Sequence, residues 1–193
     1  MKRFTLSVVA FSVVACGGGE KVTQETGPRP NVIVITLDTT RADRIGAYGH
    51  ALAKTPTIDA FASTGRRFSR AYAPVPLTIP SHSSLFTGLN PYNHGVRSNS
   101  TDILSDEHQT MAEILRDNGY QTGASVAAFV TQSSWGFGQG FDAYFQALEQ
   151  PMSAEELPEN QWRQERNAEL VIDDALRFLE QKKAGSPYFL WVH

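Results

Sequence analysis

The sequence predicts an α/β fold, a mostly parallel sheet sandwiched by helices. Three observations predict it. Asn31 to Leu37 and Tyr188 to Val192 are short, continuous runs of β-branched, aliphatic and aromatic residues, the pattern of strands buried on both faces. Between them lie helix signals: the capping-box pattern Thr110-Met111-Ala112-Glu113, and an apolar stripe at helical spacing through Ala168, Val171, Ile172, Ala175, Leu176 and Leu179. Strands alternating with helices are joined by crossovers, which makes neighbouring strands parallel.

In chain order, residues 1–15 read as an export signal. Met1-Lys2-Arg3 is basic, Phe4 to Ala15 is mostly apolar, and small residues follow. Val13-Val14-Ala15-Cys16 resembles a bacterial lipobox, which implies that Cys16 is lipidated and begins the mature chain. The competing reading of the apolar run is a core helix. Residues 16–30, rich in Gly and Pro and poor in apolar residues, read as a polar tether. The folded part is expected over residues 31–193.

The first strand ends at Asp38. A helix is predicted over Pro56 to Ser63 with Thr57 as its cap and Gly65 as its stop, and a short strand over Arg67 to Ala73. Pro74 to Pro80 reads as a loop, Ser81 to Thr87 as a helix with Pro80 at its first position, and Leu89 to Ser105 as a loop. The capping box opens a helix to Asn118, stopped by Gly119. Gln121 to Val130 reads as a strand, Trp135 to Phe145 as a Gly/aromatic loop, and Glu159 to Lys183 as the longest helix. The chain stops at His193, at the rim where open α/β sheets gather ligands. It is therefore expected to be the N-terminal part of a longer protein, with the fold incomplete at its C-terminus.

Composition excludes several classes of function. Among 193 residues, 17 are Lys or Arg and 20 are Asp or Glu, for a net charge of −3, so there is no basic footprint for nucleic acid. One cysteine makes no internal disulfide, Cys-rich zinc site or Cys-x-x-Cys pair. No apolar run is long enough for a transmembrane helix, so membrane attachment is expected through the lipid anchor alone.

Two places carry candidate chemistry. Asp38, at the end of a predicted strand, suits a metal ligand at the sheet rim; a turn or N-cap residue is the alternative. The run Pro76 to Gly88 places Thr78 just before a helix start, where the helix dipole favours an alkoxide and an anionic substrate. A Thr hydroxyl needs a base or a metal to become a nucleophile. His82 is the candidate base or substrate hydrogen-bonding group. The plainer reading is a loop whose hydroxyls cap backbone groups.

Together these segments resemble the sulfatase family of the alkaline-phosphatase superfamily. Asn31–Leu37 with Asp38-Thr39-Thr40-Arg41-Ala42-Asp43 is similar to its opening strand and loop. Thr55-Pro56-Thr57-Ile58-Asp59-Ala60-Phe61-Ala62 is similar to its next helix, Thr78 to Gly88 to its active-site signature, and Asn90 to Val96 to the segment after it. The resemblance implies an alkaline-phosphatase/sulfatase-like fold. It also implies a divalent metal ion held by Asp38 and Thr78, an anionic ester substrate, and an exported, lipid-anchored protein of the cell envelope, periplasmic or on the outer membrane. Family members are longer, and their later part supplies an Asp-His pair of metal ligands that this chain lacks.

The departures shape the functional expectation. The signature's first residue, Cys or Ser, is oxidised to formylglycine in sulfatases; Thr78 stands there, and its oxidation would give a ketone. His82 stands at the signature's Arg. After Gly119-Tyr120-Gln121-Thr122, where the family has Gly-Lys-Trp-His, the chain has Val126-Ala127-Ala128-Phe129, and Thr39 replaces the second Asp of a frequent Asp-Asp. The phosphodiesterase and phosphoglycerol-transferase branches of the superfamily use an unmodified Thr. By its offset from Thr78, Asn99 matches the phosphodiesterase residue that holds a substrate oxygen; an ordinary turn asparagine is the alternative.

The resemblance thus implies a metal-dependent hydrolase of sulfate or phosphate esters with Thr78 as nucleophile. Calcium would suit a sulfatase-like site, and zinc or manganese a phosphodiesterase-like one. The alternatives are a phosphodiesterase, phosphonate hydrolase or phospho-group transferase of the same superfamily, and a non-catalytic binding lipoprotein. Weaker candidates are His94, Arg97, Arg41 and Asp43, and the aromatics Trp135, Phe137 and Phe141. His193 receives no role from the sequence.

Overall fold

The computed structural model describes Gly27, residues 29–146 and residues 166–193. The export signal, the lipobox with Cys16 and the start of the helix expected from Glu159 lie outside these residues. Four parallel strands form one sheet: β1 (Val32–Ile35), β2 (Gln121–Ser125), β3 (Ala143–Phe145) and β4 (Tyr188–Val192), in the order β1-β4-β2-β3. Parallel pairing follows from the crossovers; the one from β2 to β3 carries 3-10 turns and the other two carry α-helices. These are α1 (Pro56–Thr64), α2 (Thr78–Thr87), α3 (Pro91–His94), α4 (Met111–Asp117) and α5 (Ala168–Gln181).

The sheet separates two apolar layers. Phe189 and Trp191 of β4 and Ala124 of β2 face Ile79 and Phe86 of α2, Ala112 of α4 and Phe137. Leu190 and Val192 point the other way, against Val171, Ala175 and Phe178 of α5. Strand residues alternate faces, so one strand, β4, anchors both layers. The capping box forms as predicted: the Thr110 hydroxyl accepts from Glu113 N, and Glu113 Oε2 accepts from Thr110 N at 2.8 Å.

Several expectations are corrected. Arg67 to Ala73 is irregular rather than a strand. The helix expected from Ser81 begins at Thr78, with Pro80 in its third position instead of its first. A proline is tolerated there because first-turn N–H groups have no intrahelical partner. The cap of α1 is Thr55, not Thr57, and its hydroxyl donates to the Asp59 carboxylate while accepting from Gly46 N. The Leu89–Ser105 loop contains α3, and the Gly/aromatic loop contains β3. The strand from Gln121 ends at Ser125 and gives way to 3-10 turns at Phe129–Thr131 and Ser133–Trp135.

Helix α5 begins at Ala168 after the cap Asn167, and its buried face is Val171, Asp174, Ala175 and Phe178. Ile172 and Leu176, assigned to the stripe, are exposed. The interior position at Asp174 is possible because Arg166 pairs with it. Nor is β1 buried on both faces: Val32 and Val34 pack against the core, while Ile33 and Ile35 are exposed on the α5 side.

Candidate functional site

The carboxyl ends of the strands meet at one cleft of about 560 Å³, walled by Asp38, Thr78, Arg166, His193 and the apolar stretch Ala127 to Val130. Asp38 follows β1. The next residue, Thr39, has φ 52°, the one non-glycine with positive φ among the described residues. A β-branched residue in that region is strained, and such strain concentrates at functional sites.

Thr78 reaches the cleft as the first residue of α2. Its hydroxyl donates to Asp38 Oδ2 at 3.0 Å, across forty positions of sequence. Its carbonyl accepts from Ser81 Oγ and from His82 Nδ1, the latter at 2.9 Å. Asn99 sits at the same helix start, its Oδ1 accepting from Ile79 N at 2.9 Å. The tertiary fold therefore gathers Asp38, Thr78, His82 and Asn99 at one helix N-terminus.

The geometry separates their possible roles. His82 does not hydrogen bond to the Thr78 hydroxyl. Its Nδ1–H is used on the Thr78 carbonyl, and its Nε2 is buried without a hydrogen-bond partner among the described residues. Burial lowers its pKa below the ordinary imidazole value, against smaller raising effects of the Thr78 carbonyl and Asp38. The ring is enclosed by Phe137, Trp191 and His193.

His193, to which the sequence assigned no role, lies directly at the site. Its Nε2 is 3.8 Å from Asp38 Oδ2, and its Nδ1 is 2.7 Å from Thr36 Oγ1. Its side chain is 3% exposed, and burial, reinforced by His82, lowers its pKa to about 4 despite Asp38. Thr36, read only as part of a strand, also takes a hydrogen bond from Trp191 Nε1 at 3.0 Å. The available signal was positional: His193 stands at the end of the last predicted strand, and Thr36 lies two residues before Asp38 in the first.

The weaker candidates are placed elsewhere in function. His94 joins Ser84 of α2 to Val96. Arg41 pairs with Asp43, and Arg97 lies over the Tyr92 ring. Phe137 and Phe141 pack around Trp191 in the core, and Trp135 Nε1 donates to the Phe129 carbonyl.

Asp38 and Thr78 present two converging oxygens, the donor type that hard divalent cations take. Among the described residues no group of three or more His, Cys, Asp or Glu side chains gathers to complete a cation shell. The pair fits a partial shell.

The chain is 27% identical, over 97% of its length, to an N-acetylglucosamine-6-O-sulfatase of Bacteroides thetaiotaomicron, of which it covers 34%. It is 30% identical, over 96% of its length, to an ulvan-active sulfatase of Formosa agariphila, of which it covers 39%. Its fold is similar to the crystal structure of a phosphonate monoester hydrolase of Agrobacterium radiobacter. That likeness has a TM-score of 0.65 at 23% identity and covers 85% of this chain and 40% of the other. The chain thus spans little more than a third of the length of the curated relatives it matches. Its opening strand, its Thr78 helix and its closing strand all fall within residues 30–193, which match the sulfatase family model throughout, and the chain belongs to the sulfatase family.

Proposed function

We propose that this chain carries the nucleophile-bearing part of a metal-dependent hydrolase of anionic esters, with Thr78 as the nucleophile. One observation carries the reading: the Thr78 hydroxyl donates to Asp38 Oδ2 at 3.0 Å, at a helix N-terminus and at the carboxyl edge of a parallel sheet. A divalent cation held by Asp38, Thr78 and ligands outside the described residues would lower the hydroxyl pKa and neutralise ester oxygens.

Asp38 Oδ2 holds the hydroxyl proton and keeps Oγ1 facing the cleft. As Oγ1 bonds to sulfur or phosphorus, its proton passes along the hydrogen bond toward Asp38 Oδ2 and on to solvent, the bond to the bridging ester oxygen breaks, and that oxygen takes a proton from solvent and departs as the alcohol. Water then attacks the same centre, restoring the Thr78 hydroxyl and releasing sulfate from a sulfate ester, a phosphate monoester from a diester, or the free phosphonate from a phosphonate ester. Asn99 spends its carbonyl oxygen on Ile79 N, which turns its amide N–H groups to other acceptors, and we assign them a substrate oxygen. His82, bonded to the Thr78 carbonyl, orients the nucleophile's backbone.

The residues favour phosphate diesters or phosphonates over sulfate esters. A formylglycine hydrate has a second hydroxyl that expels sulfate by collapse to the aldehyde; Thr78 has one hydroxyl and depends on attack by water. The wall of the cleft at Ala127, Ala128 and Phe129 carries no Lys or His for a sulfate oxygen, and the neighbouring Arg166 is engaged with Asp174 and the carbonyls of Val126 and Leu170. The test compares an aryl sulfate with an aryl phosphodiester across several divalent metals, using the full protein and Thr78→Ala. Faster phosphodiester turnover, lowered by about 10²-fold or more in Thr78→Ala, is expected. Faster Thr78-dependent sulfate turnover would overturn the preference. Tight binding of anions without turnover would make this a binding protein. We further propose that Cys16 is lipidated and tethers the domain to the cell envelope.

A further inference from the structure

We propose that His193 is a positioning residue for the Asp38–Thr78 pair: a neutral imidazole locked as its Nε2–H tautomer by a Trp191–Thr36–His193 hydrogen-bond chain, with that N–H directed at Asp38 Oδ2. The proposal rests on the Thr78 reading above for its catalytic consequence, but not for its structural content.

The argument begins with what each group is able to donate. Trp191 Nε1 is a donor only, so at 3.0 Å it must give its proton to Thr36 Oγ1. Thr36 still has its own hydroxyl proton to place. Among the described residues the acceptor within reach is His193 Nδ1, at 2.7 Å. A nitrogen that accepts carries no proton, so a neutral His193 holds its proton on Nε2. That atom faces Asp38 Oδ2 at 3.8 Å. The separation is longer than a direct hydrogen bond, and suits one bridging water or a small closure of the loop after β1.

Every part of the chain is held by the sheet. Thr36 N donates to Val192 O, His193 N to Ser125 O, and Ala127 N to His193 O. His193 is therefore clamped by its own backbone to the end of β2, and through Val192 to the end of β1, with its ring packed edge-on to His82 and beside Trp191. Asp38, by contrast, immediately precedes the strained Thr39, and among the described residues its carboxylate has one side-chain hydrogen bond, from Thr78, besides this facing histidine. A donor aimed at Oδ2 defines which way the carboxylate turns, and hence where the Thr78 hydroxyl points.

The test uses the full protein with ¹⁵N-labelled histidine. Long-range proton–nitrogen correlation reads the tautomer, with the His193 signals assigned by their loss in His193→Gln. The expected result is a protonated Nε2 and an unprotonated Nδ1, an Nε2 signal that moves in Asp38→Asn, and a mixture of tautomers in Thr36→Val. A protonated Nδ1, or an Nε2 signal indifferent to Asp38→Asn, overturns the proposal. A second arm measures kcat and KM on the better ester. His193→Ala and His193→Asn should lose roughly 10–100-fold in kcat with little change in KM. His193→Gln, whose amide N–H falls near the Nε2 position, should recover most of that loss. Equal rates in His193→Ala and the parent also overturn the proposal. Absence of turnover in the parent protein would count against the Thr78 reading, and the tautomer measurement would still decide this one.

Discussion

Asp38 shows how much chemistry one side chain concentrates. It is the acceptor for Thr78 and the group that His193 faces, and its side chain is one-third exposed to the cleft. Asp38→Asn keeps the shape but removes the negative charge and offers a donor where an acceptor is required. Turnover of either ester should fall by about 10²–10⁴-fold while the thermal midpoint moves little, checked by steady-state rates and a melting curve side by side. His94 has a different kind of importance. Its Nδ1 accepts from Val96 N at 3.1 Å, and Ser84 Oγ lies 3.0 Å from its Nε2, so the folded protein holds it neutral. Burial first, and His108 second, lower its pKa from the ordinary imidazole value. Below that ordinary value the unfolded chain binds a proton that the folded chain excludes. His94 therefore contributes stability that is complete above about pH 6.5 and is lost as pH falls toward the folded value. Urea midpoints at pH 7.5 and 5.5 should differ less in His94→Gln than in the parent, and an unchanged difference would refute the assignment.

At the scale of elements, the contact between the Gly/aromatic loop and α4 sets the position of β3. Gly140 has φ +83°, and a Cβ there would lie 2.2 Å from Glu113 N at the start of α4. Its carbonyl takes the Thr122 hydroxyl at 2.7 Å, tying the loop to β2 as well. Neither backbone is able to yield without breaking one of these ties. Gly140→Ala should cost about 3 kcal/mol, through both the left-handed backbone and the overlap, measured as a shift in the denaturant midpoint at constant slope. At the other end of the same contact, Thr110→Ala removes the cap of α4 and should cost about 1 kcal/mol. The chemistry is insulated from both changes, so any surviving folded protein should keep its kcat.

Across the whole molecule, the most consequential feature is an apolar face without cover among the described residues. Ile33, Ile35 and Leu37 on the β1 side and Ile172 and Leu176 on α5 are each about half exposed, and among the described residues β1 pairs only with β4. An exposed strand edge beside exposed aliphatic residues invites association. Residues 31–193 prepared alone should self-associate in a concentration-dependent way. Ile35→Lys should reduce that association in analytical ultracentrifugation without unfolding the domain, and a monomer at all concentrations would contradict it. No helix among the described residues is long and apolar enough to cross a membrane. The proposed attachment therefore rests on Cys16, and Cys16→Ala should leave unprocessed precursor that takes up no labelled lipid.

Patterns within a few residues were enough for the core of the fold. The runs at β1 and β4, the capping box at Thr110, the stop of α1 at Gly65 and the stop of α4 act over one or two turns of chain, so local sequence determined them. Asp38, Thr78 and Asn99 were legible as candidates because each stands at a place the family resemblance marks. Tertiary structure alone decided what needed a distant partner. The burial of α5 turned toward Asp174 because Arg166 neutralises it, β3 formed because β2 offered an open edge, and the α2 start moved back to Thr78 where the Asn99 side chain supplies an acceptor for the backbone N–H of Ile79. His193 belongs to the same class: it became part of the site only when parallel pairing set the end of β4 beside the end of β1. Its partners Thr36 and Asp38 are more than 150 positions away in the chain, a separation no local pattern spans.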